Sequence, residues 1–76
     1  MKYVVHDHGG IYRGIYIFPR FVKHTDFVTN MGWNNDSIVS AGFISPDFEC
    51  YGKSVSLNKK SDPVGDTNLL DRLLEQ

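Results

Sequence analysis

Two adjacent glycines constrain the fold of this chain more than any other local feature. Gly9 and Gly10 separate residues 2–8 from residues 11–18, and both runs are rich in β-branched and aromatic side chains. Glycine adopts positive φ angles without steric cost, and a two-residue turn between antiparallel strands requires such angles. The sequence therefore predicts a β-hairpin at the beginning of the chain.

The remaining sequence predicts two more strands and two helices. Residues 24–31 place apolar side chains on one helical face, which favours a short helix. Residues 37–44 and 48–57 are typical of strands, and a proline-containing turn separates them. A leucine stripe that follows Asp62 and Pro63 predicts a C-terminal helix. We expect an α+β fold of the order β-β-α-β-β-α, with an antiparallel sheet and both helices on one face.

The chain length predicts one small domain over residues 1–76. A domain of this size buries only about 60–65% of the surface of its unfolded chain, so its stability is marginal. The single cysteine, Cys50, cannot form an intrachain disulfide, and no Cys/His set has zinc-finger spacing. Because both faces of the expected hairpin carry large Tyr, Phe and Ile side chains, we expect a homo-oligomer.

The charge balance argues against a nucleic-acid partner. Lys and Arg number 8 and Asp and Glu number 9, so the formal net charge is −1, whereas a general nucleic-acid binder presents a basic face. No segment approaches the roughly 18 apolar residues that span a bilayer, and the N-terminus lacks a signal-peptide pattern. A lone thiol fits a reducing compartment. We therefore expect a cytoplasmic protein without a membrane partner.

A pair of histidines in the first strand raises the question of a metal site. His6 and His8 point to the same face of a strand, where two imidazoles could share one metal ion. A two-residue turn would place Arg13 opposite His6, and its fixed positive charge opposes a divalent cation. Nothing in the sequence brings a third ligand to this face from the nearest candidates, His24, Asp26 and Cys50. The sequence predicts no metal site, and a metal-dependent hydrolase based on the two histidines is the third hypothesis.

The segment around Tyr51 combines groups that suit an anionic ligand. Tyr51 supplies a ring, Lys53 a cation, and Ser54 and Ser56 two hydroxyls, so the segment could hold a small anion or a nucleotide. The alternative is an edge strand that Lys and Ser protect against aggregation. No catalytic residue and no cofactor is expected, because Cys50 has no nearby His and the serines lack a nucleophile-elbow context. The predicted ligand-binding residues are His6, His8, Arg13, Tyr51, Lys53, Ser54 and Ser56.

Three segments of the second half carry a resemblance to a group of proteins. Residues 40–43 (Ser-Ala-Gly-Phe), residues 52–57 (Gly-Lys-Ser-Val-Ser-Leu) and Asp66 with Leu69 and Leu70 resemble a pattern of short uncharacterised bacterial and phage proteins. The resemblance to a small phage or prophage accessory protein implies an action by binding. The leading hypothesis is therefore a non-catalytic, anti-defence binding module that inhibits a host protein. The alternative is a sponge for a nucleotide signal, with its ligand at an oligomer interface.

Overall fold

An antiparallel sheet forms the centre of the molecule, and the computed structural model describes it together with the rest of residues 1–75. Strand β1 (Lys2–Asp7) lies between β2 (Arg13–Phe18) and β3 (Ile38–Ile44), and β3 also pairs with the short β4 (Cys50–Tyr51). All three pairings are antiparallel. The predicted α+β class with an antiparallel sheet is confirmed.

The predicted fourth strand, residues 48–57, is broken into shorter elements. Gly52 has a φ angle of 78°, which turns the chain out of the main sheet directly after β4. Strand β5 (Lys53–Ser54) then pairs with β6 (Lys59–Lys60) in a separate two-stranded sheet. Asn58, also at positive φ, closes the turn between these two strands. The chain therefore forms a β5–β6 hairpin where one continuous strand was expected.

Both expected helices are present. Helix α1 spans His24–Asn30 and helix α2 spans Pro63–Leu74. Asp62 caps α2 by accepting a hydrogen bond from the Gly65 N–H at 3.3 Å. Proline occupies the first turn of α2, where a missing N–H costs nothing. Among the described residues, no helix is long and apolar enough to span a membrane.

The two helices cover opposite faces of the sheet, which corrects the expected placement of both on one face. The sheet face covered by α2, here the α2 face, has a core of Tyr3, Val5, Ile15, Ile44, Cys50 and Leu70. The other face, here the α1 face, has a core of Val4, Phe18, Val28, Ile38, Ala41 and Leu57. The reason is that β1 is buried at four consecutive positions, so both of its faces need a cover.

The register of the first hairpin differs by one residue from the expected register. His6 lies opposite Gly14, and Arg13 lies opposite Asp7. The prediction that Arg13 faces His6 is therefore wrong. A slip of one residue moves every side chain of a strand to the other face of the sheet. Arg13 consequently lies on the α2 face, whereas His6 lies on the α1 face.

The turn of the hairpin explains the shifted register. The His8 N–H donates to the Tyr12 carbonyl at 2.9 Å, and the Ile11 N–H donates to the His8 carbonyl at 3.1 Å. His8 and Tyr12 therefore enclose a turn of three residues, Gly9, Gly10 and Ile11. Both glycines have positive φ angles, as expected, but the loop is one residue longer than the two-residue turn.

Candidate functional site

A cleft of about 670 Å³ opens on the α2 face, between α2, β3 and β6. This volume lies within the range of about 300–1,000 Å³ that small-molecule sites occupy. Cations from three elements line its walls: Arg13, Lys59, Lys60 and Arg72. These are four of the eight Lys and Arg residues in a chain with a formal net charge of −1. Half of the Lys and Arg residues of the chain therefore border this cleft.

A buried carboxylate forms part of the floor of the cleft. Asp66 is only 3% exposed, and it accepts hydrogen bonds from the Tyr3 hydroxyl at 2.5 Å and the Ser40 hydroxyl at 2.8 Å. The Asp62 N–H donates to the same carboxylate at 2.9 Å. Burial and, secondarily, the bond to Asp66 raise the pKa of Tyr3, so its phenol stays protonated as a donor. Neutral donors thus satisfy both oxygens of Asp66.

The electrostatic balance of the cleft favours an anionic ligand. The two carboxylates that line it belong to Asp62 and Asp66, against four cations, which leaves an excess of two positive charges. Asp62 accepts from the Gly65 N–H, and Asp66 accepts from hydroxyl and backbone donors. Because neutral groups satisfy these carboxylates, the cations of the cleft are available to a ligand.

Arg13 is the one predicted binding residue that lines the cleft. Three others, Lys53, Ser54 and Ser56, come together in a smaller pocket of about 440 Å³ on the α1 face, where Lys2 and Lys23 add two cations. Ser54 is 1% exposed, and its hydroxyl oxygen accepts from the Leu57 N–H at 3.2 Å. Lys53, Ser54 and Ser56 therefore share one pocket at the turn of the β5–β6 hairpin, whereas Tyr51, which was predicted with them, lines a different depression.

The β5–β6 hairpin sets two like charges against each other. Lys53 lies directly opposite Lys60 in the antiparallel pairing, and Ser54 lies opposite Lys59. Directly opposed like charges destabilise a pair of strands. The hairpin borders both pockets, because Lys59 and Lys60 line the cleft and Lys53 lines the smaller pocket.

His6 and His8 belong to a cluster of rings on the α1 face. His6 stacks on Trp33 with a centroid distance of 3.9 Å, and His8 stacks on Tyr12 at 4.4 Å. The His8 Nε2 atom shares a hydrogen bond with the Tyr16 hydroxyl at 2.6 Å. Burial and, secondarily, the neighbouring His8 lower the pKa of His6. The two imidazoles are therefore packed as aromatic side chains, on the face of the sheet opposite to the cleft.

The structure changes the argument about metal binding at these histidines. Gly14 and not Arg13 lies opposite His6, so the predicted repulsion by a guanidinium is absent. Within residues 1–75, no group of three His, Cys, Asp or Glu side chains is arranged to hold a metal ion. His24, one suggested third ligand, is buried where its Nε2 donates to the Gly42 carbonyl at 3.0 Å. The Nδ1 atom of His6 is buried without a hydrogen-bond partner in the described part of the chain.

Tyr51 stands apart from the other predicted residues. Its side chain is 51% exposed, and its ring lies beside Phe43 at a centroid distance of 5.8 Å. It lines a third depression together with Met1 and Phe48. The seven predicted residues are therefore distributed over four places and do not form one site.

The residues of the cleft that sequence reasoning missed include Ser40, Asp66 and Arg72. Asp66 lies four residues before the buried Leu70, so both side chains share one face of α2. A carboxylate on the buried face of an amphipathic helix requires hydrogen-bond donors from a neighbouring element. That signal was present in the sequence, but it does not identify Ser40 and Tyr3 as the donors.

Comparison of the chain with protein-family models, with curated protein sequences and with solved structures found no match. The resemblance to phage accessory proteins thus stays a prediction.

Proposed function

We propose that the protein is a non-catalytic binding module that takes a small anionic ligand, of the nucleotide class, in the cleft on the α2 face. The observation that carries this proposal is the set of four cations around a cleft whose carboxylates are satisfied by neutral donors. The proposal corresponds to the nucleotide hypothesis from the sequence, with a different set of residues.

The cations suit the phosphate part of such a ligand. Arg13 and Arg72 carry planar guanidinium groups, which bind phosphate oxygens through paired hydrogen bonds. Lys59 and Lys60 add compact charges from the facing wall. A phosphate between α2 and β6 would therefore meet cations from two sides.

The rest of the cleft suits a flat, polar group such as a nucleobase. Asn58 and Asn68 each offer an amide that both donates and accepts hydrogen bonds, as the edge of a base requires. Val39 and Leu69 supply apolar surface against which a ring can pack. A ligand with one phosphate and one base would use both parts of the cleft.

Binding fits this cleft better than catalysis does. Asp66 is the buried carboxylate of the site, and a general base needs a free oxygen within reach of the substrate. Both Asp66 oxygens already accept hydrogen bonds, from Ser40 on one side and from Tyr3 and Asp62 on the other. The carboxylate therefore fixes the floor of the cleft and joins α2 to the sheet.

Isothermal titration calorimetry with adenosine 5′-monophosphate tests the proposal. We expect binding that weakens as salt is added, because ionic strength screens the attraction between phosphate and cations. Arg72→Gln should weaken binding by about tenfold or more, as expected for loss of a charged hydrogen bond. Arg20→Gln is the matched control, since Arg20 lies outside the cleft. Equal affinity of the wild type and Arg72→Gln would contradict the proposal, as would the absence of binding to mono-, tri- and cyclic nucleotides.

The other sequence hypotheses stay predictions. Inhibition of a host protein by a phage-type, anti-defence accessory protein rests on the resemblance, and a cytoplasmic location rests on the sequence pattern. A hydrolase based on His6 and His8 likewise stays a hypothesis from the sequence, and the Nε2 atom of His8 is already hydrogen-bonded to the Tyr16 hydroxyl.

A further inference from the structure

Strand β2 leaves one edge of the main sheet open. The strand order is β2-β1-β3-β4, so β2 has a partner on one side only within the described residues. β2 is six residues long, whereas β4 at the opposite edge has two. Natural sheets protect their edges with short strands, lysines, prolines or bulges. Between Arg13 and Phe18, β2 contains no lysine, proline or acidic residue.

The phase of the ladder shows which backbone groups of β2 point outward. The His8 N–H donates to the Tyr12 carbonyl, so this pair belongs to the hydrogen-bonded set. In an antiparallel ladder, hydrogen-bonded pairs alternate with non-bonded pairs. The N–H and C=O groups of Gly14, Tyr16 and Phe18 therefore point toward β1. Those of Arg13, Ile15 and Ile17 point away from the sheet.

Exposed apolar side chains lie beside this edge. The C-terminal part of α2 crosses over β2, where Leu73 lines a groove with Tyr12 and Ile15. Leu73 is 41% exposed and Leu74 is 53% exposed, at the end of an otherwise amphipathic helix. Ile11, in the turn before β2, is 87% exposed. Apolar side chains therefore border the open edge of β2: Ile11 lies at one end, and Leu73 and Leu74 lie on the α2 face.

We propose that the edge of β2 pairs with β2 of a second copy of this chain, antiparallel and about a two-fold axis at Ile15. In this register Ile15 faces the partner's Ile15, and Arg13 faces the partner's Ile17. The outward groups of the three residues Arg13, Ile15 and Ile17 form the hydrogen-bonded pairs. The two four-stranded sheets become one sheet of eight strands.

A second copy suits this edge because the edge is complementary to itself. The outward-pointing residues lie symmetrically around Ile15, as an isologous two-fold contact requires. The register also separates the two Arg13 side chains to opposite ends of the seam, so no like charges face each other. Both α2 helices lie on the same face of the joined sheet, where Leu73 of each copy borders the seam and gains apolar contact.

The dimer places two ligand clefts on one face of the joined sheet. Arg13, Leu69 and Arg72 line both the cleft and the groove beside β2. The clefts therefore flank the seam, one in each copy. The dimer itself depends on the strand edge and on Leu73, and it does not depend on the proposed ligand.

Sedimentation equilibrium of the full chain tests the dimer, with amide hydrogen exchange as a second measurement. We expect a dimer at tens of micromolar in which the amides of Arg13, Ile15 and Ile17 are protected, with protection that falls on dilution. Leu73→Glu should weaken dimerisation by about tenfold or more, because it places a carboxylate at the apolar seam. Val64→Glu is the matched control on the same helix, since Val64 is 74% exposed and lies outside the groove.

Three results would overturn the proposal. The first is a wild-type chain that stays monomeric over this concentration range. The second is a dimer in which the three outward amides exchange freely or which Leu73→Glu and Val64→Glu weaken equally. The third is a monomer whose three amides become protected only when a different protein is added, because the edge would then serve a foreign strand.

Discussion

The two faces of the sheet provide different partners for their buried polar groups. On the α2 face, the buried Asp66 is held by hydroxyl and backbone donors, and cations remain around an open cleft. On the α1 face, the buried polar residues among residues 1–75 are His6, His24 and Ser54; His6 stacks on Trp33, and His24 donates to a backbone carbonyl. Hydroxyl and backbone donors thus satisfy the carboxylate of Asp66, whereas burial lowers the pKa of both imidazoles and favours their neutral form.

The difference between the faces depends on the length of one turn. A turn of three residues between His8 and Tyr12 places Arg13 on the α2 face. A two-residue turn would place Arg13 next to His6 on the α1 face, as the sequence predicted. One additional residue in the turn therefore determines which face of the sheet carries Arg13, one of the four cations of the cleft.

The largest expected effect concerns the core of the α2 face. Leu70 is 1% exposed, so Leu70→Ala should lower the free energy of unfolding by about 2–5 kcal/mol. Leu73 belongs to the same leucine stripe but is 41% exposed, so Leu73→Ala should lower the free energy of unfolding by less than about 1.5 kcal/mol. Urea unfolding of both variants measures the difference. Equal losses of stability in the two variants would mean that α2 packs on the sheet through a different row of side chains.

The next effect concerns the carboxylate on the floor of the cleft. Asp66→Asn replaces one acceptor oxygen by an NH₂ group that faces the donors of Tyr3 or Ser40. We expect the free energy of unfolding to fall by about 1–3 kcal/mol, because buried donors are left without an acceptor. Asp71→Asn, at an exposed position of the same helix, should change the stability by less than about 0.5 kcal/mol. Similar urea midpoints for the two variants would contradict the account of the α2 face.

A smaller effect concerns the α1 face, whose buried histidines should make the stability of the protein depend on pH. Burial lowers the pKa of both His6 and His24 below the ordinary imidazole value, so the unfolded chain binds more protons than the folded chain in weak acid. Stability should therefore fall as the pH drops through about 6.5. His6→Phe keeps a ring against Trp33 and should reduce this dependence, as measured by urea unfolding at several pH values. An unchanged slope would show that His6 does not contribute.

The smallest effect concerns the like charges of the β5–β6 hairpin. Lys53→Glu would set an opposite charge against Lys60 and should stabilise the protein by about 0.2–1 kcal/mol at low salt. Lys23→Glu, in the same pocket but outside the hairpin pairing, is the matched control. Thermal unfolding at low and high salt measures both. A gain for Lys23→Glu alone would place the repulsion in the pocket and not across the strands.

Local signals predicted the helices and the presence of the first hairpin. The proline and leucine pattern predicted α2, and the paired glycines predicted the turn. The register was not predictable from these glycines, because loops of two and three residues both accept positive φ angles. The break at Gly52 was also missed, and Val55, which lies within the expected strand of residues 48–57, is 81% exposed in the turn of the β5–β6 hairpin.

The cleft was not predictable because its groups come from distant segments. Arg13, Ser40, Lys59 and Arg72 lie on four elements, and only the three-dimensional pairing brings them together. Lys53, Ser54 and Ser56 are close in sequence, and this local proximity is why the sequence identified them as a group. Sequence reasoning therefore grouped residues that are neighbours along the chain and missed most residues of the larger cleft.

Chemical-shift mapping with adenosine 5′-monophosphate tests most directly that the α2 face holds the ligand site. In ¹H–¹⁵N spectra of the full chain, we expect the largest changes at the backbone amides of residues 58–62 and 65–72, which border the cleft. The amides of residues 53–56, in the smaller pocket of the α1 face, should change less. Saturable changes confined to residues 53–56 would contradict this assignment, as would a spectrum that the nucleotide leaves unchanged.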